Sequence, residues 1–172
     1  MEGIRIVGLS ILVAIVYGIL HDQITARLCV EYFTIGHPQL INTDSPTLLG
    51  LFWGVAATWW VGLLLGMPLA IAARSGRRPR RDARSLVRPL LTLATIMAIL
   101  AFVAGIIGAI LARSGVVFLT QLLASRVPTE KHVLFLADLW AHNSSYLVGF
   151  IGGLVVIVRT WRSRFEIMKD EG

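Results

Sequence analysis

The chain has 172 residues, of which 56% are hydrophobic and 15% charged, and its mean hydropathy is +0.74. Soluble domains carry roughly 25% charged residues, so this composition excludes an ordinary soluble globule and favours a chain that lies largely in lipid. The formal charge of +6 comes from basic residues that flank the apolar segments, which argues against a nucleic-acid partner, and the single cysteine, Cys29, excludes an internal disulfide.

The first apolar segment, residues 4–24, is predicted to span the membrane as a helix and to remain helical to about residue 33. Its end, residues 18–23, has no small-x-small cleavage site, so we expect a membrane helix instead of a removed signal. Gly36, His37 and Pro38 are predicted to end the helix and begin a polar loop.

The second apolar segment, residues 47–73, is predicted to span the membrane with glycines on its packing face. Two pairs of glycines are spaced four residues apart, Gly50 with Gly54 and Gly62 with Gly66. This spacing lets a neighbouring helix approach closely. Pro68 is expected to kink the helix, and residues 74–88 are predicted to form a solvated basic loop in the cytoplasm.

Two further spans are predicted, at residues 89–112, with Pro89 in the first turn, and at residues 133–158. The apolar run 115–124 between them is too short to span and is predicted to be an interfacial or re-entrant helix at the outer face. The sequence therefore predicts an all-α integral membrane protein, a single transmembrane domain over residues 1–172 built as a four-transmembrane-helix bundle.

The distribution of Lys and Arg predicts the orientation. The N-terminal residues, the loop 74–88 and the tail after residue 158, which includes Lys169, hold three times as many Lys and Arg as the two opposite loops. By the positive-inside rule both termini lie in the cytoplasm, in a bacterial inner membrane, and every histidine lies in the outer half.

Polar residues of the first and fourth segments are predicted to face one another. His21 and His142 each lie about 25 Å from the basic boundary of their helix, counted at about 1.5 Å per residue. If these two helices pack antiparallel, three pairs share a depth: Tyr17 with Tyr146, His21 with His142, and Thr25 with Asp138. The spacing of four residues places each set on one helix face.

This pattern predicts a metal or acid–base site between the first and fourth helices, near the outer face. The predicted metal ligands are His21, Asp22, Asp138 and His142, and the predicted cofactor-lining residues are Tyr17, Thr25 and Tyr146. Imidazole and carboxylate ligands suit zinc, iron, manganese or copper. Asp22 is the weakest member because it lies about 100° around the helix from His21. A structural hydrogen-bond network and simple exposure to outer water are the alternatives.

Three other polar residues are further candidates for metal ligands. Glu31 is expected to pair with Arg27 one turn away, His37 lies in a turn, and His132 lies at a helix start. Each has an ordinary structural explanation.

The leading functional hypothesis is a membrane metalloenzyme that acts on a lipid or lipid-linked substrate at a periplasm-facing site. The alternatives are an ion- or proton-coupled transporter subunit, a b-type haem protein ligated by His21 and His142, and a structural partner of another membrane protein. Membrane lipids are the expected partners in each case.

The predicted orientation is testable with reporter fusions. Fusions at Asp44 and Glu130 should report a periplasmic location, and a fusion at Arg80 should report a cytoplasmic one. The reason is that the Lys and Arg residues of the basic loop resist translocation across the membrane. The opposite result at two of the three positions would reverse the orientation.

Overall fold

The computed structural model describes the backbone of residues 1–170 and the side chains through Arg164; the side chain of Lys169 and residues 171–172 lie outside that description. The described chain is helical and contains no strand. Its helices are α1 (Glu2–Leu28), α2 (Val30–Thr34), α3 (Pro46–Ala56), α4 (Trp59–Arg74), α5 (Ala83–Arg113), α6 (Gln121–Ala124) and α7 (His132–Asp170).

Four helical stretches are long and apolar enough to cross a membrane: Glu2–Leu28, Pro46–Arg74, Ala83–Arg113 and Thr129–Arg164. This confirms the predicted all-helical chain with four apolar spans. The start of α1 lies beside the loop between α4 and α5, since the Glu2 carboxylate accepts a hydrogen bond from the backbone N–H of Ala83. We call this the basic end of the bundle. The opposite end, formed by residues 29–45 and 114–131, is the capped end.

Several helix boundaries differ from the prediction. The first helix stops at Leu28, because Cys29 adopts an extended conformation (φ −146°, ψ 92°) and turns the chain into the separate helix α2. The second span is interrupted at Ala57 and Thr58, which the sequence did not predict, and Pro68 lies inside the helix that follows.

The later boundaries shift as well. Helix α5 begins at Ala83, where the Asp82 carboxylate caps it by accepting from the backbone N–H of Ser85, so Pro89 lies inside the helix and not in its first turn. The predicted helix over residues 115–124 is reduced to the single turn α6. Helix α7 continues well past the predicted end at residue 158.

Close packing of α1 on the second span confirms the predicted role of the glycines. The Cα of Gly54 lies against the backbone of Ile19, and a Cβ added there would stand 2.5 Å from the Ile19 Cα. A Cβ added at Gly50 would stand 2.9 Å from the backbone oxygen of Asp22. Helix α7 packs mainly along α5, so the bundle consists of two tight helix pairs, α1 with α3 and α4, and α5 with α7.

The basic loop is held by a buried arginine. Arg164 of α7 is 0% exposed. Its guanidinium donates hydrogen bonds to the backbone oxygens of Ala72, Ser75, Arg78 and Pro79, at 2.5, 2.8, 3.1 and 2.7 Å respectively. These carbonyls lie at or just after the C-terminus of α4, where the helix dipole favours a cation. The loop backbone is therefore docked against α7 at this point, while Arg77 and Arg80 are exposed, as the predicted solvated loop requires.

The glycine contact gives a testable prediction. Gly54→Ala should lower the stability of the folded chain by about 1–3 kcal/mol, because the new methyl group meets backbone that cannot move without separating α1 from α3. Gly8→Ala is the matched control, since nothing lies within 4 Å of a Cβ at Gly8. Thermal unfolding in detergent measures both variants. Equal unfolding midpoints would show that α1 and α3 do not touch at Gly54.

Candidate metal site

Three ionisable side chains from α1 and α7 meet in the interior of the bundle. His142 Nε2 lies 3.2 Å from Asp22 Oδ1, and the rings of His21 and His142 are in edge contact with their centroids 4.6 Å apart. One donor atom from each of these three residues lies within 4.8 Å of the other two. We call His21, Asp22 and His142 the central cluster.

The cluster forms although α1 and α7 hardly touch along their length. Each is packed on its own partner helix, and long side chains cross the space between them. Two of the pairs predicted to share a depth are close to the observed contacts. His21 contacts His142, and the Tyr17 hydroxyl lies 2.7 Å from the hydroxyl of Ser145, which is next to the predicted partner Tyr146.

The positions of Asp22 and Asp138 relative to His142 differ from those predicted. Asp22, predicted to be the weakest member, is 5% exposed and lies directly against His142. Asp138 is 1% exposed and lies outside the central cluster, although its backbone oxygen is 2.8 Å from His142 Nδ1. Thr25 donates its hydroxyl hydrogen to the backbone oxygen of His21 within α1, so it does not bond Asp138.

The hydrogen bonds of His142 determine what its second nitrogen can do. A carbonyl oxygen only accepts, so Nδ1 carries a proton and donates it to the backbone oxygen of Asp138. In a neutral imidazole, Nε2 then presents a lone pair to the Asp22 carboxylate, which is also an acceptor. The pair is satisfied only by a further proton or by a cation between the two atoms.

Two buried polar atoms beside this pair also lack partners. His21 Nε2 and Asp138 Oδ2 are both inaccessible to solvent and form no hydrogen bond with the described atoms. Buried polar atoms are paired in the large majority of cases, and leaving one unpaired costs about 1–3 kcal/mol. These two unpartnered atoms are therefore available to bind an ion or a polar ligand.

Aromatic side chains cover the cluster at the capped end. Tyr32 and Phe33 of α2 place their rings 4.5 and 5.8 Å from that of His142, and His37 follows at 6.5 Å. His37 in turn packs on Trp53 of α3. Burial raises the pKa of the Tyr32 hydroxyl and lowers that of His37, whose Nδ1 donates to the Tyr32 backbone oxygen.

This aromatic cap differs from the predicted site, which was expected to open towards the outer face. Sequence reasoning did not single out Tyr32, Phe33 or Trp53, because an aromatic residue in an apolar run has no feature that distinguishes a cap from ordinary packing. The turn at Cys29, which folds α2 over the cluster, was the missing information.

The remaining polar candidates lie outside the central cluster. Glu31 pairs with Lys131 at 3.7 Å and accepts from the Cys29 thiol, whereas Arg27 bonds Gln23 and Thr47, so the predicted Arg27–Glu31 pair is wrong. The ring of His132 bonds a backbone oxygen, that of Val127, at 3.0 Å.

An interior cavity of about 120 Å³ borders the cluster and extends from His37 towards Leu69 at the basic end. Of the residues that line it, the titratable ones all lie from Tyr17 towards the capped end, and the rest of the lining is apolar apart from Ser10, Thr58 and Ser145. The titratable groups are therefore confined to one part of the cavity.

Comparison with protein-family models, with curated proteins and with solved structures found no match. The functional assignment therefore depends on the geometry of the site.

The environment of Cys29 predicts an unreactive thiol. Cys29 is 0% exposed, and burial raises its pKa to about 12, so at pH 8 only about one thiol in 10⁴ is the reactive thiolate. Maleimide should label the folded protein far more slowly than the protein unfolded in dodecyl sulfate. A cysteine introduced at the exposed Leu40, in a Cys29→Ser background, is the positive control. Equal labelling rates at positions 29 and 40 would contradict the buried turn.

Proposed function

We propose that this chain is a membrane metalloprotein in which His21, Asp22 and His142 bind one divalent transition-metal ion. The observation that carries the proposal is the contact between His142 Nε2 and Asp22 Oδ1, two acceptor atoms 3.2 Å apart in a buried region. A cation between them satisfies both, and the Asp138 carbonyl holds the imidazole in the tautomer that a metal ligand requires.

The distances support zinc or a metal of similar size. Donors about 2.0–2.1 Å from a tetrahedral ion are separated from one another by about 3.3 Å, close to the observed 3.2 Å between His142 and Asp22. His21 needs only a small side-chain rotation, because its donor atom already lies within 4.8 Å of the other two. Iron, manganese and copper accept the same ligands.

Three protein ligands leave a fourth position open, which is the arrangement of catalytic and not of structural zinc sites. An ion there polarises a bound oxygen or lowers the pKa of a bound water. The side chain of Asp138, close by and without a partner at Oδ2, is available to exchange a proton with a group at that position. This supports a metalloenzyme over a purely structural metal site.

The alternatives receive less support. A haem requires room for the porphyrin between its two histidines, and the rings of His21 and His142 are in edge contact. A proton or ion path needs polar groups through the full thickness of the bundle, whereas towards the basic end the cavity lining offers only Ser10, whose hydroxyl bonds the Ile6 backbone oxygen.

The proposal includes the orientation of the chain in the bilayer and the depth of the central cluster. We place the basic end at the cytoplasmic surface of a bacterial inner membrane, because Lys and Arg there resist translocation. The central cluster then lies a few ångströms inside the outer boundary of the hydrocarbon, as the count of about 25 Å from the basic boundary requires.

Metal analysis of the detergent-purified full-length chain tests the proposal. We expect about one zinc, or an equivalent transition metal, per chain, and His142→Ala and Asp22→Asn should reduce the metal affinity at least about tenfold, because each removes a ligand. His132→Ala and Glu31→Gln are the matched controls, since both residues lie outside the central cluster.

The binding should also weaken as the pH falls, because protons compete with the metal for its ligands. Thermal unfolding of each variant distinguishes loss of ligand from loss of fold. Metal content that His142→Ala leaves unchanged in a folded protein would overturn the metal site.

A further inference from the structure

A lateral groove runs along the bundle surface between α1 and α5. Near the basic end these helices share the buried cluster of Ile6, Leu86 and Leu90. Beyond it a groove of about 900 Å³ separates them, lined from Leu9 to Leu28 on α1 and from Val87 to Ala109 on α5. At about 1.5 Å per residue the groove is about 28 Å long, nearly the thickness of the hydrocarbon core.

The groove walls are apolar and face outwards. Five α1 residues spaced four apart form one wall and are all substantially exposed: Leu12, Val16, Leu20, Ile24 and Leu28. The α5 side contributes large residues, Leu91, Phe102 and Ile106, and small residues, among them Ala98 and Gly105, which we call the groove floor. The small residues leave more room beside them than the large ones do, which suits a thin apolar chain.

The polar atoms of the groove are concentrated at one depth. Asp138 and His21 line it, and both carry a buried atom without a partner, Asp138 Oδ2 and His21 Nε2. The one polar residue well away from them, Thr95, donates its hydroxyl to the Leu91 backbone oxygen and is satisfied within its helix. His21 also lines the interior cavity, so it is the member of the central cluster that borders both the groove and the cavity.

We infer that this groove binds one acyl chain of a bilayer lipid and holds the lipid's ester oxygens at His21, next to Asp138. The inference rests on the proposed metal site for its chemistry, since it names an acyl lipid as the substrate class of that site. The aromatic cap closes the cluster at the capped end, and the groove provides access from the side.

Length and hydrogen bonding favour this occupant over a transmembrane helix. From His21 to Leu9 the groove measures about 18 Å, against about 15 Å for one hydrocarbon leaflet, so an acyl chain with its ester at His21 fills the stretch. An ester oxygen accepts a hydrogen bond and can therefore pair with an N–H at His21 Nε2, which has no partner among the described atoms. The apolar face of a second helix offers no acceptor there, because the backbone oxygens of a membrane helix are bonded within it.

Photo-crosslinking of the full chain in phosphatidylcholine nanodiscs tests the groove. The probe is a phosphatidylcholine with a diazirine on one acyl chain. We expect its crosslinks to concentrate on residues 9–28 and 87–109 and to fall at least about tenfold in Ala98→Trp, which fills the groove floor. Ile99→Trp is the matched control, because Ile99 is exposed on the same helix and does not line the groove.

Three results would overturn the inference: equal labelling of all lipid-facing surfaces, insensitivity to Ala98→Trp, or crosslinks between two copies of the chain in place of lipid crosslinks. Competition by polyprenyl phosphate but not by unlabelled phosphatidylcholine would overturn the acyl assignment.

Metal analysis of the same samples separates the two proposals. Metal retained in Ala98→Trp with labelling lost supports both. If His142→Ala loses the metal and the groove is still labelled, the lipid site and the metal site are separate features and both are supported. Groove labelling in a wild-type protein that binds no metal would support the groove alone and overturn the metal site.

Discussion

The contact of α1 with the glycines of the second span determines the rest of the architecture. Because Gly54 and Gly62 have no side chains, α1 approaches α3 and α4 until backbone meets backbone. An α1 drawn to that side leaves space towards α5, which becomes the lateral groove. The same contact fixes Asp22, whose backbone oxygen rests on Gly50 while its side chain turns inwards to His142. Glycine packing thus positions both the groove and the central cluster.

The interruption of the second span contributes to this arrangement. The chain leaves the helix at Ala57 and Thr58, and the Thr58 hydroxyl donates to the Gly54 backbone oxygen. In hydrocarbon, an unpaired backbone group costs several kcal/mol, so a break is tolerated only where side chains or a cavity satisfy it. Here Thr58 supplies a donor and the break lines the interior cavity, next to Gly18 of α1.

Sequence reasoning anticipated the features that depend on composition and helical rise. Four apolar spans follow from hydropathy, and the contact of His21 with His142 follows from counting residues from each helix boundary. It undervalued Asp22 because a helix face was treated as a narrow stripe. A residue 100° away reaches the same partner when that partner stands across a gap instead of against the helix.

The boundaries that sequence reasoning missed have no local marker. Cys29, Ala57 and Thr58 are not strong helix breakers, whereas the prolines that are, Pro68 and Pro89, lie inside helices and end neither of them. Tertiary contacts decide these positions: the turn at Cys29 buries Tyr32 and Phe33 over the cluster. Arg164 could not be distinguished from its basic neighbours, because its partners are backbone oxygens in a loop 85–92 residues earlier in the chain.

That separation between Arg164 and the loop has a consequence for biogenesis. A ribosome completes the second and third spans long before it adds Arg164, so the backbone oxygens of Ala72, Ser75, Arg78 and Pro79 lack this partner during that interval. The loop acquires its final shape when α7 delivers the guanidinium. Docking of this loop thus follows the synthesis of all four spans, and a chain truncated before residue 164 would retain its spans while leaving the basic end of the bundle undocked.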